Sequence, residues 1–204
     1  MEEQRTDPRN GRREAKVRLI VAEAWALARV DGLAAISLRE LGRAVGLRQP
    51  SLYAYFTSKL DLYDAMFADG YRQLLDVVAD NPPGQEPRRA LADFVRLLVQ
   101  FSTDDIVRHQ MLFQRTIPGF EPSPDSYELA LRFQQLAAER LAAAGVEGGE
   151  DVDLFSGLVS GLGHQQVAND PGGDRWVRLA DRAVAMFLAD VDSRNPTTTR
   201  KGRQ

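Results

Sequence analysis

Apolar residues recur at the helical period along almost the whole chain, and no stretch alternates as a half-buried strand would. Val17, Ile20, Val21, Ala24, Leu27 and Ala28 follow the i, i+3, i+4, i+7 rule. They predict a helix from about Lys16 to Asp31, stopped by Gly32. Ser37-Leu38-Arg39-Glu40 reads as a capping box that opens a short second helix, broken at Gly46. Pro50 suits the first position of a third helix, where its missing N–H costs nothing. Ser58 and Asp61 signal the start of a longer fourth helix, which ends at Asn81-Pro82-Pro83-Gly84. Further helices are expected from Pro87, over Asp104 to Arg115, Asp125 to Ala144, Asp151 to Ala168 and Asp174 to Asp190. The fold class is therefore all-α, with about nine helices.

Composition narrows what such a chain can do. Of its 204 residues, 44% are hydrophobic and 27% charged, which is ordinary for a folded protein. There is no cysteine, so no disulfide framework, thiol nucleophile or zinc finger can form, and two histidines make metal chemistry a poor expectation. Neither metal nor cofactor is expected. Met1 to Arg13 is charged rather than apolar, and no run approaches eighteen apolar residues, so a cytoplasmic protein with no membrane partner is expected.

The net charge of −3 seems to argue against a nucleic-acid partner, yet it is unevenly distributed. Met1 to Leu60 carries eleven Lys/Arg against seven Asp/Glu, a net of +4; the remainder carries fifteen against twenty-two, a net of −7. A basic module joined to an acidic body is the pattern of an anion-binding unit coupled to something with another task.

Within the basic third, the second and third helices joined at Gly46 form a helix-turn-helix pattern. Its third helix would enter the major groove by its N-terminal end, where short or polar residues are needed. Arg48, Gln49 and Ser51 meet that need: Gln pairs bidentately with adenine and Arg with guanine. Pro50 allows close backbone approach and contact with a thymine methyl. Tyr53 and Tyr55 offer hydroxyls to phosphates, and Lys59 a cation beside the start of the fourth helix. Leu38, Leu41, Val45, Leu52 and Phe56 are expected in the core.

Ser37 through Lys59, SLRELGRAVGLRQPSLYAYFTSK, resembles the DNA-binding domain of the TetR/AcrR family of bacterial transcriptional regulators. The resemblance runs from about Glu14 to Phe67, roughly a quarter of the chain. It implies phosphate contacts at Ser37, Tyr55 and Lys59, base contacts at Arg39, Gln49, Pro50 and Tyr53, and either role for Ser51. The family often has histidine at the place of Tyr55; a phenol can still donate. The division it implies is a flexible arm over 1–13, a DNA-binding domain over 14–60, a ligand-binding and dimerisation domain over 61–192 and a flexible tail over 193–204. The helix over 61–80 would connect the two domains.

The resemblance also implies a homodimer that binds operator DNA and a small-molecule inducer, acting as a repressor; an activator or a ligand-free regulator is the alternative. Candidate pocket residues are Phe94, Leu98, Met111, Phe133 and Leu158, with His164 or Gln165 as a polar handle. Gly157, Ser160 and Gly161 are small residues that allow close helix–helix approach, and Trp176, Leu179, Ala183 and Phe187 lie on the natural partner helix. A helical enzyme is the rival of another class. It would use His109 with Asp105, four apart, or His164 with Ser160. Asp105 and His109 could hold a divalent metal, although an ion pair is commoner at that spacing. The Ser160–His164 pair has no orienting acid or oxyanion hole in view, and Gly157-Leu158-Val159-Ser160-Gly161 is not a nucleophile elbow.

Overall fold

A computed structural model describes residues 8–195. Among the described residues nine α-helices follow one another: α1 Pro8–Asp31, α2 Leu38–Ala44, α3 Gln49–Tyr53, α4 Lys59–Asp80, α5 Pro87–Asp104, α6 Ile106–Phe113, α7 Pro124–Ala143, α8 Gly149–Asn169 and α9 Ala180–Arg194. Two 3-10 turns, Leu33–Ala35 and Val177–Leu179, interrupt the series, and no strand occurs among the described residues. The all-α expectation holds.

Local signals placed most boundaries. Ser37 accepts from the Glu40 N–H at 3.4 Å and opens α2. At α4, Ser58 accepts from the Asp61 N–H at 3.1 Å and donates to its carboxylate at 2.9 Å, while Thr57 donates its N–H to the same group at 2.9 Å. The Thr57 and Ser58 hydroxyls hold the Asp61 carboxyl below its ordinary range. This contribution is present above the ordinary aspartate pKa and fades as pH falls through the lowered one.

Several boundaries differ from the expected ones. The first helix begins at Pro8, inside the segment expected as a flexible arm, although Pro8 to Ala15 has no apolar stripe. Proline pre-sets the first-turn φ, and charged residues suit a solvent-facing turn. Residues 1–7 of the expected arm lie outside the described residues. Gln49, not Pro50, opens α3, which leaves the proline at its second position. α5 runs on to Asp104 before a break at Asp105, and α9 starts at Ala180 rather than Asp174. α9 also reaches Arg194, into the expected tail; residues 196–204 lie outside the described residues.

The chain divides into two packing units, 1–73 with 106–131, and 74–105 with 132–204. The divisions fall inside α4 and α7. In the first unit, α1 packs on α2 and α6, and α2 on α3. Ile20, Ala24, Ala28, Leu41, Leu52, Leu62 and Met66 are buried there. Trp25 donates its indole N–H to Asp69 at 2.9 Å, Gln73 donates to the same carboxylate at 2.6 Å, and Arg108 donates to the Gln73 amide oxygen at 2.8 Å, so α1, α4 and α6 are tied together. Asp64 accepts from the N–H and hydroxyl of Ser123 and from the Ser126 hydroxyl, pinning the start of α7 on α4.

In the second unit α5 packs on α8 and α9 through Leu91, Phe94, Val95, Phe155, Val184, Phe187 and Leu188, all buried. Surface arginines bind carboxylates across these helices: Arg88 to Asp192, Arg96 to Asp181 and Arg194 to Asp151. The first two pairs are exposed on both sides and contribute little stability individually, whereas the third holds the buried Asp151. No helix among the described residues is long and apolar enough to cross a membrane.

Candidate nucleic-acid interface and ligand cleft

The helix-turn-helix is held by a tight joint between α2 and α3. Gly46 adopts φ +69°, the left-handed region that glycine enters without a Cβ penalty, and the Leu47 N–H donates to the Gly42 carbonyl at 2.7 Å. Gly42 is needed for the close approach as well: a Cβ there would lie 3.2 Å from the Leu47 carbonyl oxygen. Leu41, Leu52 and Phe56 form the buried side of this unit; Leu38 and Val45, expected in the core, are both half-buried.

On the other side, Arg39, Arg48, Ser51 and Tyr53 present polar groups outward, and Ser37 and Lys59 sit beside them at the two helix starts. The side chain of Gln49 lies outside the described residues. Arg48 caps α3 in extended conformation and makes no side-chain cap bond, so its guanidinium is not consumed by the helix end.

Three cations have internal tasks that the sequence did not disclose. Lys59 donates to the Ala34 carbonyl at 2.6 Å, and its ammonium lies 5.5 Å from the Tyr63 ring centre. The Tyr63 hydroxyl donates to the Leu33 carbonyl at 2.5 Å. Both therefore clamp the 3-10 turn that leads into α2. An ammonium has three donors, so Lys59 keeps some for an outside anion. Arg13 was not among the expected residues. It donates to the Ala54 carbonyl at 3.1 Å and stacks 5.2 Å from the Tyr55 ring centre. Lys16, one turn on, donates to the Val45 carbonyl at 3.0 Å. Arg13 and Lys16 are three apart on α1 and each faces the C-terminal end of a short helix, where cations are favoured. That i, i+3 basic pair is the signal that could have found Arg13.

In the second unit a cleft of about 560 Å³ lies between the loop after α4 and the helices α5 and α7. Of the expected pocket residues only Phe94 lines it. Phe133 packs against Phe94 with ring centres 6.3 Å apart; Leu98 and Leu158 are half-buried, and Met111 is buried in the first unit. The expected polar handles are displaced along the helix: His164 and Gln165 are exposed, and Gln166 is the fully buried member of the run. Sequence periodicity could not separate them, because α8 has a weak apolar face with small residues on its outer side.

The outer sides of α8 and α9 carry Leu154, Gly157, Ser160, Gly161 and Met186, all exposed, and the half-buried Ala183; just before α9, Leu179 is exposed and Trp176 half-buried. Phe187 departs from the expected interface set. It is buried inside its own unit against Phe155, ring centres 5.3 Å apart, because it falls on the core side of α9. Met186, its neighbour, is 63% exposed.

Of the rival pairs, Asp105–His109 loses its shared helical face, because Asp105 is the extended residue between α5 and α6. Among the described residues no three His, Cys, Asp or Glu side chains gather as a metal site. Ser160 and His164 are both exposed on the outside of α8, and neither lines the cleft of their unit.

Residues 20–66 match the family model described as bacterial regulatory proteins, tetR family. No curated protein matches the chain. Among solved structures, the regulatory protein SCO4313 superposes with TM-score 0.71 at 21% identity, over 90% of this chain and 100% of its own. A tetR-family transcriptional regulator from Streptomyces coelicolor gives TM-score 0.69 at 19% identity, over 89% and 83%. The transcriptional regulator FadR from Bacillus subtilis, solved with stearoyl-CoA, gives 0.67 at 14% identity, over 83% and 96%. Residues 20–66 thus match the family model of tetR-type bacterial regulatory proteins, and the chain shares its fold with solved regulatory proteins, one of them of the tetR family.

Proposed function

We propose that the chain is a ligand-responsive repressor that binds a pseudo-palindromic operator as a homodimer and is released by a small molecule. The observation that carries this reading is the exposed polar end of α3: Arg48, Ser51 and Tyr53 face outward behind a capped α2 and the Gly46 joint. Arg39, Arg48, Gln49, Pro50, Ser51 and Tyr53 read bases. Ser37, Tyr55 and Lys59 bind phosphates, with Arg13 beside Tyr55 adding guanidinium N–H groups to the same contact. Functionally, residues 14–60 are the DNA-binding domain and 61–192 the ligand-binding and dimerisation domain, whatever the packing of 106–131.

Dimerisation is assigned to the outer face of α8 and α9. Small residues there permit close approach, and Leu154 and Met186 are large exposed apolar side chains of the kind an interface covers. A regulator of the same fold holding an acyl-CoA supports a small-molecule step. Ligand occupancy would favour a conformation of lower operator affinity. The coupling is typically about 1–3 kcal/mol and reciprocal, so operator weakens ligand binding by the same factor.

Selection from a random DNA pool tests the DNA-binding part. The expected product is an inverted repeat with half-site centres about 34–36 Å apart. Gln49→Ala is expected to relax preference at one position per half-site, by about 1–3 kcal/mol. A pool that never enriches, or that yields one unrepeated site bound by a monomer, overturns the reading. For the dimer, sedimentation of the wild type at two protomers and of Leu154→Glu with Met186→Glu at one is expected. A double variant that still sediments as a dimer moves the interface elsewhere.

A further inference from the structure

The cleft in the second unit contains a cation with no anion. Arg140, on α7, lies with its guanidinium 4.7 Å from the Phe94 ring centre, and among the described residues no carboxylate pairs with it. The other cleft cation is spoken for: Arg96 donates to Asp93 at 2.9 Å and also binds Asp181. Burial pushes the Arg140 guanidinium below its ordinary pKa, yet a guanidinium stays protonated, so its charge is partly desolvated without compensation. A cation over the Phe94 ring is attracted to it, and contact with the ring consumes none of the five guanidinium N–H donors.

We propose that this cleft binds a small organic monocarboxylate, its carboxylate on the Arg140 edge and its apolar body against Leu97, Val177 and the Pro82-Pro83 wall. The planar fork of Arg matches a carboxylate bidentately. Contact with the buried Phe94 ring holds the guanidinium at the cleft, and the volume, about 560 Å³, falls within the usual range for small-molecule sites. Asp80 and Asp93 also line the cleft, which disfavours dianions such as phosphate esters relative to monoanions. This assignment goes beyond DNA binding and holds whether or not occupancy changes operator affinity.

Isothermal titration of the full-length protein with benzoate, benzamide and phenyl phosphate tests it. Benzoate is expected to bind saturably with Kd on the order of 0.1–1 mM. Benzamide, its neutral isostere, is expected to bind about tenfold or more weakly, and phenyl phosphate is expected to bind more weakly than benzoate. Arg140→Gln should bring benzoate down to the benzamide level. Arg140→Lys, which keeps the charge and loses the fork, should fall between. Arg140 is only half-buried on a helix surface, and far-UV circular dichroism verifies that both variants fold. Absence of saturable benzoate binding, equal affinity for benzamide, tighter binding of phenyl phosphate, or full retention in folded Arg140→Gln each overturns the proposal.

Discussion

Replacing Gln166 with leucine is expected to lower the stability of the protein by about 3–5 kcal/mol, the largest single-residue loss among its polar side chains. Gln166 is completely buried on α8, and both polar atoms of its amide are used. The amide oxygen accepts from the Trp176 N–H at 2.7 Å and the Val177 N–H at 3.3 Å; the amide nitrogen donates to the Asp170 carbonyl and, at 3.2 Å, to the Asp170 carboxylate. One side chain thus closes the whole loop between α8 and α9. Leucine fills a similar volume, so the cost is not a cavity. It is the buried Val177 N–H and the part-buried Trp176 N–H left without their acceptor, at about 1–3 kcal/mol each before relaxation, while the Asp170 carbonyl keeps the Gly173 N–H.

For a chain of this size the loss corresponds to a drop in Tm on the order of 10 °C. Gln166→Glu separates this account from a general intolerance of change. It keeps the acceptor, loses the donor and adds a buried carboxyl beside Asp170, so its folded-state pKa is raised. The folded protein then binds the extra proton, and the variant should recover stability as pH falls toward that raised pKa. Removing Gln166 also removes the second cause, after the Arg175 N–H, that holds the Asp170 carboxyl below its ordinary range. A Gln166→Leu variant melting within about 2 °C of the wild type would show that water or loop rearrangement satisfies those groups.

Gln166 also shows where sequence reasoning ran out. Signals contained in a few consecutive residues were legible: Ser37 with Glu40, the Gly46 joint and Ser58 with Asp61 each specify a helix end by bonds spanning three or four positions. The polar, outward end of α3 was legible for the same reason. What depended on distant partners was not. Nothing local distinguishes Gln165 from Gln166, because the choice is made by Trp176 and Val177 ten and eleven residues on. Arg140 and Phe94 are 46 positions apart, and no periodicity joins them. The early start of α1 was missed because Pro8 to Ala15 is a solvent-facing helix without an apolar stripe. Its anchors, Arg13 on Ala54 and Lys16 on Val45, are tertiary bonds of basic side chains that composition records only as charge. The +4 of the first third is therefore not all available to DNA.

That division of labour makes Lys59→Ala the most informative change at the proposed DNA interface. The wild type, clamping several phosphates per half-site through Ser37, Tyr55, Arg13, Lys59 and backbone N–H groups, is expected to lose on the order of 10³-fold in affinity or more between about 50 and 200 mM salt. If each of two protomers contributes one phosphate contact through Lys59, Lys59→Ala should shallow the slope of log K against log salt by about 1.8. Lys59 also donates to the Ala34 carbonyl and lies over Tyr63, so the variant loosens the 3-10 turn that presents α2. That second loss is an internal hydrogen bond, worth about 0.5–1.5 kcal/mol per protomer, and it is nearly independent of salt. The two contributions therefore separate on one plot, the phosphate contact as a change of slope and the clamp as a parallel offset that persists at high salt. Tyr63→Phe supplies the control: it removes the hydroxyl from the Leu33 carbonyl in the same turn and no charge, so it should give the offset without the slope change. An unchanged slope in Lys59→Ala, with an offset matching Tyr63→Phe, would assign Lys59 to the clamp alone and withdraw its phosphate role.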